Sequence, residues 1–273
     1  MEQKTRPSHR NRAAVDEYVE SILSGRKAAC RELIQACERY RRDLGNRDYD
    51  FNPTAAELVI GIIEKQFVHK QGEKLDGTPL LGEPFLLESW QKFCIYAMLC
   101  FYHKGTQIRR VNEAFIFVPR KNGKTSWIGA LAWGLAILNR LSGSKIYITS
   151  AALQQSMQSF EFLLFNIKEL GLESRFRVLN NNQENSINGK VGDGSVYIRA
   201  LAANPDKQDS LNCNVGIADE VHGYKTPKQY NIIKEAMKSY SNKLMIGITT
   251  AGDNVNSFCY QRLQYCKRFS TEQ

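Results

Sequence analysis

The sequence predicts an α/β fold: a mostly parallel central sheet flanked by helices, with a helical segment added at the N-terminus. Three observations carry this. Apolar runs of strand length recur from about residue 85 onward, they alternate with stretches of helical periodicity, and a basic, glycine-containing loop stands where one such run passes into an apolar helix. A chain of 273 residues has room for one large α/β domain, or one domain with a helical appendage. With 42% apolar and 24% charged residues, global disorder is excluded. The longest apolar run, Trp127 to Leu138, is too short to span a bilayer, and the polar N-terminus is no signal peptide. Seven cysteines, an odd number without a C-x-x-C pair, fit reduced thiols in a cytosolic chain.

The elements follow in order. In residues 1–50, Val15, Tyr18, Ile22 and Leu23 mark one amphipathic helix. Ala29, Leu33, Ile34 and Cys37 mark a second, and Gly25 separates the two. They form either a partner-binding arm or, more plainly, a solvated hairpin on the main domain. Asn52-Pro53-Thr54 opens a further helix, where Thr54 and Glu57 have capping-box spacing. A turn-rich stretch, Gln71 to Pro84, leads to the core. Ala114–Val118 is a continuous apolar run, as expected of a buried central strand, and the long helix Lys124–Leu138 follows it. Lys145–Thr149 reads as a strand and Gln154–Leu170 as a helix. Ser186–Lys190 and Ser195–Leu201, split by Gly192-Asp193-Gly194, read as a hairpin. Val215–Ala218 is a short strand, Lys228–Tyr240 a helix and Leu244–Thr249 a buried strand.

The most specific motif is Val118-Pro119-Arg120-Lys121-Asn122-Gly123-Lys124-Thr125, between a strand and a helix. Gly123 allows close backbone approach to phosphate, and the helix N-terminus offers free N–H groups. Lys124 has the reach for the β- and γ-phosphates, and the Thr125 hydroxyl suits Mg²⁺. Val118 stands where the usual pattern has its first glycine, so this is a variant phosphate loop.

Such a loop calls for a second strand ending in carboxylates. Val215–Ala218 ends in Asp219-Glu220, with Asp219 as the metal-side candidate and Glu220 placed to polarise a water. Thr249-Thr250-Ala251-Gly252 closes the next strand, at the edge where parallel strands deliver functional groups; hydroxyls there can sense a γ-phosphate. Upstream, Gln91 in Leu87-Glu88-Ser89-Trp90-Gln91 carries a carboxamide able to read the adenine edge.

Together, in this order, the four pieces resemble the ATPase domain of the large terminase subunit of tailed bacteriophages. The similarity runs over residues 50–265, most specifically through the variant Walker A string Pro119–Thr125. It implies a P-loop NTPase of RecA/ASCE type that hydrolyses ATP with Mg²⁺. Arg120, Lys121, Asn122, Gly123, Lys124 and Thr125 would hold phosphate and metal, with Asp219 on the metal and Glu220 on the water. Gln91 would hold adenine, and Thr249 and Thr250 would belong to the coupling motif. Such motors thread double-stranded DNA through a portal protein into a procapsid. They work as homo-oligomeric rings with a small terminase subunit, in the cytoplasm of the infected host and without a membrane partner. The resemblance divides the chain into an N-terminal arm (1–50), an ATPase domain (51–265) and a tail or linker start (266–273). The nuclease domain of the family is expected to be absent, since no spaced set of Asp residues remains for a two-metal site.

Ring ATPases of this kind take a basic residue from a neighbouring subunit, for which Arg199 and Lys207 are candidates; surface charge or DNA contact explains them equally. The net charge of +9 is concentrated in residues 101–150, with eight Lys and Arg against the single acid Glu113. Three of the eight belong to the phosphate loop; of the other five, Arg109, Arg110, Arg140 and Lys145 remain available for DNA. The alternatives are a superfamily 2 helicase-like ATPase and a catalytically weak nucleotide-binding assembly module. His69, His103 and His222 are not at ligand spacing, so no metal is expected beyond Mg²⁺ on the nucleotide.

Overall fold

The computed structural model describes residues 9–202 and 211–271. Their contacts divide into two compact units. One holds the chain to Gly61 together with Leu87–Val111, the other Ile62–Leu86 together with the chain from Asn112 onward.

The first unit is mainly helical. Helix α1 (Arg10–Leu23) buries Val15, Tyr18, Val19 and Ile22, the stripe expected from the periodicity. Helix α2 (Arg31–Gly45) buries Cys37 and Tyr40. A short strand β1 (Tyr49–Phe51) and the start of α3 (Thr54–Gln66) follow, and α4 (Ser89–Leu99) leads into strand β2 (Phe101–His103), antiparallel to β1. The rings of Tyr18 and Tyr40 both lie 5.7 Å from Phe93 of α4, tying the three helices into one core.

Two expectations fail here. The capping box does not form. The Thr54 N–H donates to Asn52 Oδ1 at 3.0 Å, and Glu57 instead accepts from the Asn11 amide side chain at 2.7 Å and from the Tyr96 hydroxyl. A long-range partner outbids the local cap. Nor are Arg109 and Arg110 free for DNA: Arg109 is buried, and Arg110 pairs with Asp43 at 2.9 Å and stacks 4.8 Å from the centre of the Tyr49 ring.

The second unit is built on a seven-stranded sheet. Its strands are β3 (Glu113–Phe117), β4 (Ser144–Ser150), β5 (Phe176–Asn180), β6 (Asn185–Val191), β7 (Gly194–Ala202), β8 (Val215–Asp219) and β9 (Leu244–Thr249). The order is β3-β9-β8-β4-β7-β6-β5. The first five are parallel, while β6 and β5 join antiparallel, with β6 and β7 forming the expected hairpin. The helices of this unit are α5 (Lys124–Asn139), α6 (Leu153–Glu169), α7 (Lys228–Glu235) and α8 (Phe258–Thr271). This is the predicted mostly parallel α/β sheet flanked by helices, a P-loop NTPase fold.

Strand β3 corrects one reading. Among the described residues it pairs only with β9 and forms the sheet edge, with Phe117 41% exposed. A parallel strand covered on its faces reads apolar throughout, so an apolar run does not distinguish an edge from a centre. Helix α7 also stops at Glu235, short of the expected Tyr240. Close packing sets the helix positions: a Cβ on Gly129 of α5 would lie 2.5 Å from the Ser159 carbonyl of α6, and one on Gly216 of β8 would lie 2.3 Å from Ile233 of α7.

Candidate functional site

The carboxyl ends of β3, β9 and β8 lie side by side, and each delivers one part of the site. After β3 the chain turns through Val118, whose N–H still donates to the Thr249 carbonyl of β9 at 3.1 Å. Lys121 and Gly123 then take left-handed conformations, with φ of 63° and 68°. That conformation costs glycine nothing, whereas at Lys121 it is a local strain of roughly 1 kcal/mol. The Asn122 amide spans the turn, donating to the carbonyls of Pro119 at 3.2 Å and Arg120 at 3.3 Å. Gly123 caps α5, whose first N–H groups have no helical partner and form a cradle for an anion. Arg120, Lys121 and Asn122 are exposed on this loop and Thr125 is half-buried.

Lys124, by contrast, is 7% exposed, and its Nζ lies 3.2 Å from Glu220 Oε1. Glu220 follows β8 in a left-handed conformation, φ 48° and ψ 52°, which bends the chain sharply after Asp219. The Asp219 carboxylate accepts the Glu220 N–H at 2.8 Å. Burial, and secondarily the Glu220 charge, push the Asp219 carboxyl up to about 7, against the pull of that hydrogen bond and of Lys124. A carboxyl so raised gains most from a nearby cation.

Thr249 ends β9 and Thr250 follows it, both buried. The Thr249 hydroxyl donates to the Thr250 carbonyl at 3.0 Å and accepts the His222 N–H at 3.1 Å. The His222 ring Nδ1 lies 3.1 Å from the same hydroxyl oxygen and 3.2 Å from Glu220 Oε2. His222 is therefore part of the cluster, which spacing along the sequence did not reveal. Its one signal was position, two residues beyond Glu220.

Lys124, Asp219, Glu220 and Thr249 are thus brought together. Arg199 is not. It sits on β7, four ladder steps or about 19 Å from β3 at the usual strand spacing, level with Tyr147 and short of the strand end. Its neighbours are Tyr197 and Glu184. Lys207 lies outside the described residues. Gln91 belongs to the first unit, where it is buried and its Oε1 accepts the Glu88 N–H at 2.8 Å, closing a capping box at the start of α4.

The residue types also decide what cation fits. Among the described residues no three His, Cys, Asp or Glu side chains converge on one point. A carboxylate and a hydroxyl, Asp219 and Thr125, are hard oxygen donors, the set that suits Mg²⁺ completed by phosphate and water.

Two solved structures that align with the chain are bacteriophage large terminases. The HK97 bacteriophage large terminase aligns with a TM-score of 0.61 at 19% identity, over 78% of this chain and 41% of that one. A large terminase from a thermophilic bacteriophage aligns with a TM-score of 0.46 at 10% identity, over 60% and 40%. The chain therefore spans about two-fifths of the length of these two proteins. No curated protein matches it in sequence. Among the described residues no helix is long and apolar enough to cross a membrane. The family model for the terminase large subunit ATPase domain matches residues 89–268, well over half of the chain and all of the phosphate-loop cluster, and the chain belongs to that family.

Proposed function

We propose that the chain is the ATP-hydrolysing motor domain of a phage large terminase, driving double-stranded DNA into a procapsid. The observation that supports this most directly is the convergence of Lys124, Asp219 and Glu220 at the carboxyl edge of the sheet, with Thr249 joined to them through His222. In this reading residues 51–265 carry the ATPase, residues 1–50 an N-terminal helical arm and residues 266–273 a tail.

The phosphate-loop N–H groups and Lys124 bind the β- and γ-phosphates of ATP. Arg120, Lys121 and Asn122, exposed on the same loop, contact the triphosphate from outside. Asp219 and the Thr125 hydroxyl would hold Mg²⁺, which would supply positive charge against the charge developing on the phosphate. Glu220 accepts a proton from the attacking water and orients it in line with the γ-phosphate. Thr249 and Thr250 report the state of the γ-phosphate to the segment that leads into α8. Gln91 takes the adenine edge: its amide NH₂ offers two donors, and its carbonyl keeps a second lone pair beside the one given to Glu88.

Motor function needs more than one copy. Arg199, too far from the phosphate loop of its own chain, is suited to act on a neighbour's nucleotide in a homo-oligomeric ring, and Lys207 is the other candidate. Double-stranded DNA, the portal protein and a small terminase subunit are the partners of this reading, and the cytoplasm of the infected bacterium its place. ATP turnover measured against protein concentration, with and without double-stranded DNA, tests it. Turnover should rise more steeply than linearly and respond to DNA, with DNA affinity falling as salt rises. Strictly linear, DNA-indifferent turnover contradicts the motor and leaves a stand-alone ATPase.

A further inference from the structure

We propose that His222 is a positioning residue for ATP hydrolysis, holding the Glu220 carboxylate and linking it to the coupling segment Thr249–Gly252. The proposal rests on the reading of Glu220 as the residue that orients water, and it adds a group to which that reading gives no role.

The neighbours of the ring favour a proton on Nδ1. The Thr249 hydroxyl lies 3.0 Å from the Thr250 carbonyl, to which it can donate, and then presents lone pairs toward His222. One accepts the His222 backbone N–H at 3.1 Å. The ring Nδ1 lies 3.1 Å from the same oxygen and 3.2 Å from Glu220 Oε2, and the Nδ1–H form suits both neighbours. The contact to Oε2 is one of proximity: this oxygen is buried and accepts no hydrogen bond as placed, so a small turn of the ring brings an Nδ1–H onto it.

The Glu220 carboxylate is then held from two directions. Lys124 Nζ lies 3.2 Å from Oε1 on the phosphate-loop side, and His222 Nδ1 lies 3.2 Å from Oε2 on the side of the coupling segment. A triphosphate competes with Oε1 for the Lys124 ammonium but leaves the His222 ring beside Oε2. His222 keeps the carboxylate oriented while Lys124 serves phosphate. The second end of the coupling segment also touches His222: a Cβ on Gly252 would lie 3.1 Å from the His222 Cβ, so glycine gives the imidazole its room. Any displacement of Thr249–Gly252 therefore reaches the Glu220 carboxylate through one ring.

Steady-state hydrolysis of Mg-ATP by the full chain tests this, comparing His222→Ala and His222→Asn with the unmutated protein. Asparagine places its NH₂ close to where Nδ1 stands, and both variants keep the backbone bond to Thr249. Alanine should lower kcat by about 100-fold, the scale of a misoriented catalytic group, with KM for ATP little changed. Asparagine should restore most of the loss. Adding Thr249→Val to His222→Ala should cost less than the product of the two single effects, because both break one path. Wild-type kcat in His222→Ala overturns the proposal. So does an equal kcat loss in both variants accompanied by an equal fall in thermal midpoint, which marks a purely structural histidine. Lys124→Ala and Glu220→Ala, assayed in parallel, separate the two levels. If they keep turnover, the reading of the site fails; if they lose it while His222→Ala does not, only the role of His222 fails.

Discussion

Lys124 Nζ lies 3.2 Å from Glu220 Oε1, in a pair whose lysine side chain is 7% exposed. One ammonium cannot fully serve this carboxylate and a triphosphate together. Glu220→Gln removes the competitor and keeps the side-chain shape. Nucleotide affinity should then rise by roughly three- to tenfold, about 1 kcal/mol, even as hydrolysis is lost. Titration calorimetry with a slowly hydrolysed ATP analogue checks this, and unchanged or weaker binding rejects the competition.

Asp219 gives a pH signature. Its carboxyl is raised from 3.8 to about 7, by burial first and then by the Glu220 charge. The folded chain therefore keeps a proton that the unfolded chain gives up. Between those two values, stability should fall as pH rises, by at most about 1.4 kcal/mol per pH unit. Asp219→Asn has no such proton to lose, so its denaturant midpoint should decline less over this window. Parallel profiles for the two proteins would mean that Asp219 is ionised throughout.

Glu113 gives the opposite sign. Burial pushes its carboxyl up, but Lys234 at 2.7 Å, the Tyr230 hydroxyl at 2.8 Å and Arg262 outweigh burial and hold it below its usual 4.5. These contacts fasten α7 and α8 to the start of β3. The stabilisation is present above about pH 4.5 and is lost as pH falls through the lowered value. Glu113→Gln should cost roughly 1–3 kcal/mol at neutral pH, with the deficit closing on acidification. Thermal midpoints between about pH 3 and 7 measure it, and a pH-independent deficit contradicts the ionic account.

Gly129 fixes the approach of α5 to α6. A Cβ there would sit 2.5 Å from the Ser159 carbonyl oxygen, a backbone atom that cannot rotate away. Gly129→Ala should destabilise by about 1–3 kcal/mol, although alanine is the better helix former. Equilibrium unfolding checks the sign; a stabilised variant would mean that the helices separate at no cost.

How much of this was legible in the sequence depended on whether the chemistry was contiguous. Pro119–Thr125 and Asp219-Glu220 read directly, because a phosphate loop and a strand-end carboxylate pair are each local patterns at strand ends. His222 did not, because its partner Thr249 lies 27 residues on and only the β8–β9 pairing brings them together. Glu57 spoke for a local cap until Asn11, 46 residues earlier, claimed it. Arg109 and Arg110 looked like free charge because composition says nothing of burial. The edge position of β3 was hidden for a related reason: hydrophobicity carries no strand order.

The central claim is that Lys124 and Glu220 belong to one hydrolytic site. Its most direct test is the ATP turnover of Lys124→Ala and Glu220→Ala, each shown by circular dichroism and thermal midpoint to keep the fold. The account predicts a loss of about 100-fold or more in both, with nucleotide affinity weakened in Lys124→Ala and not weakened in Glu220→Ala. Turnover at the unmutated rate in two folded variants would contradict it.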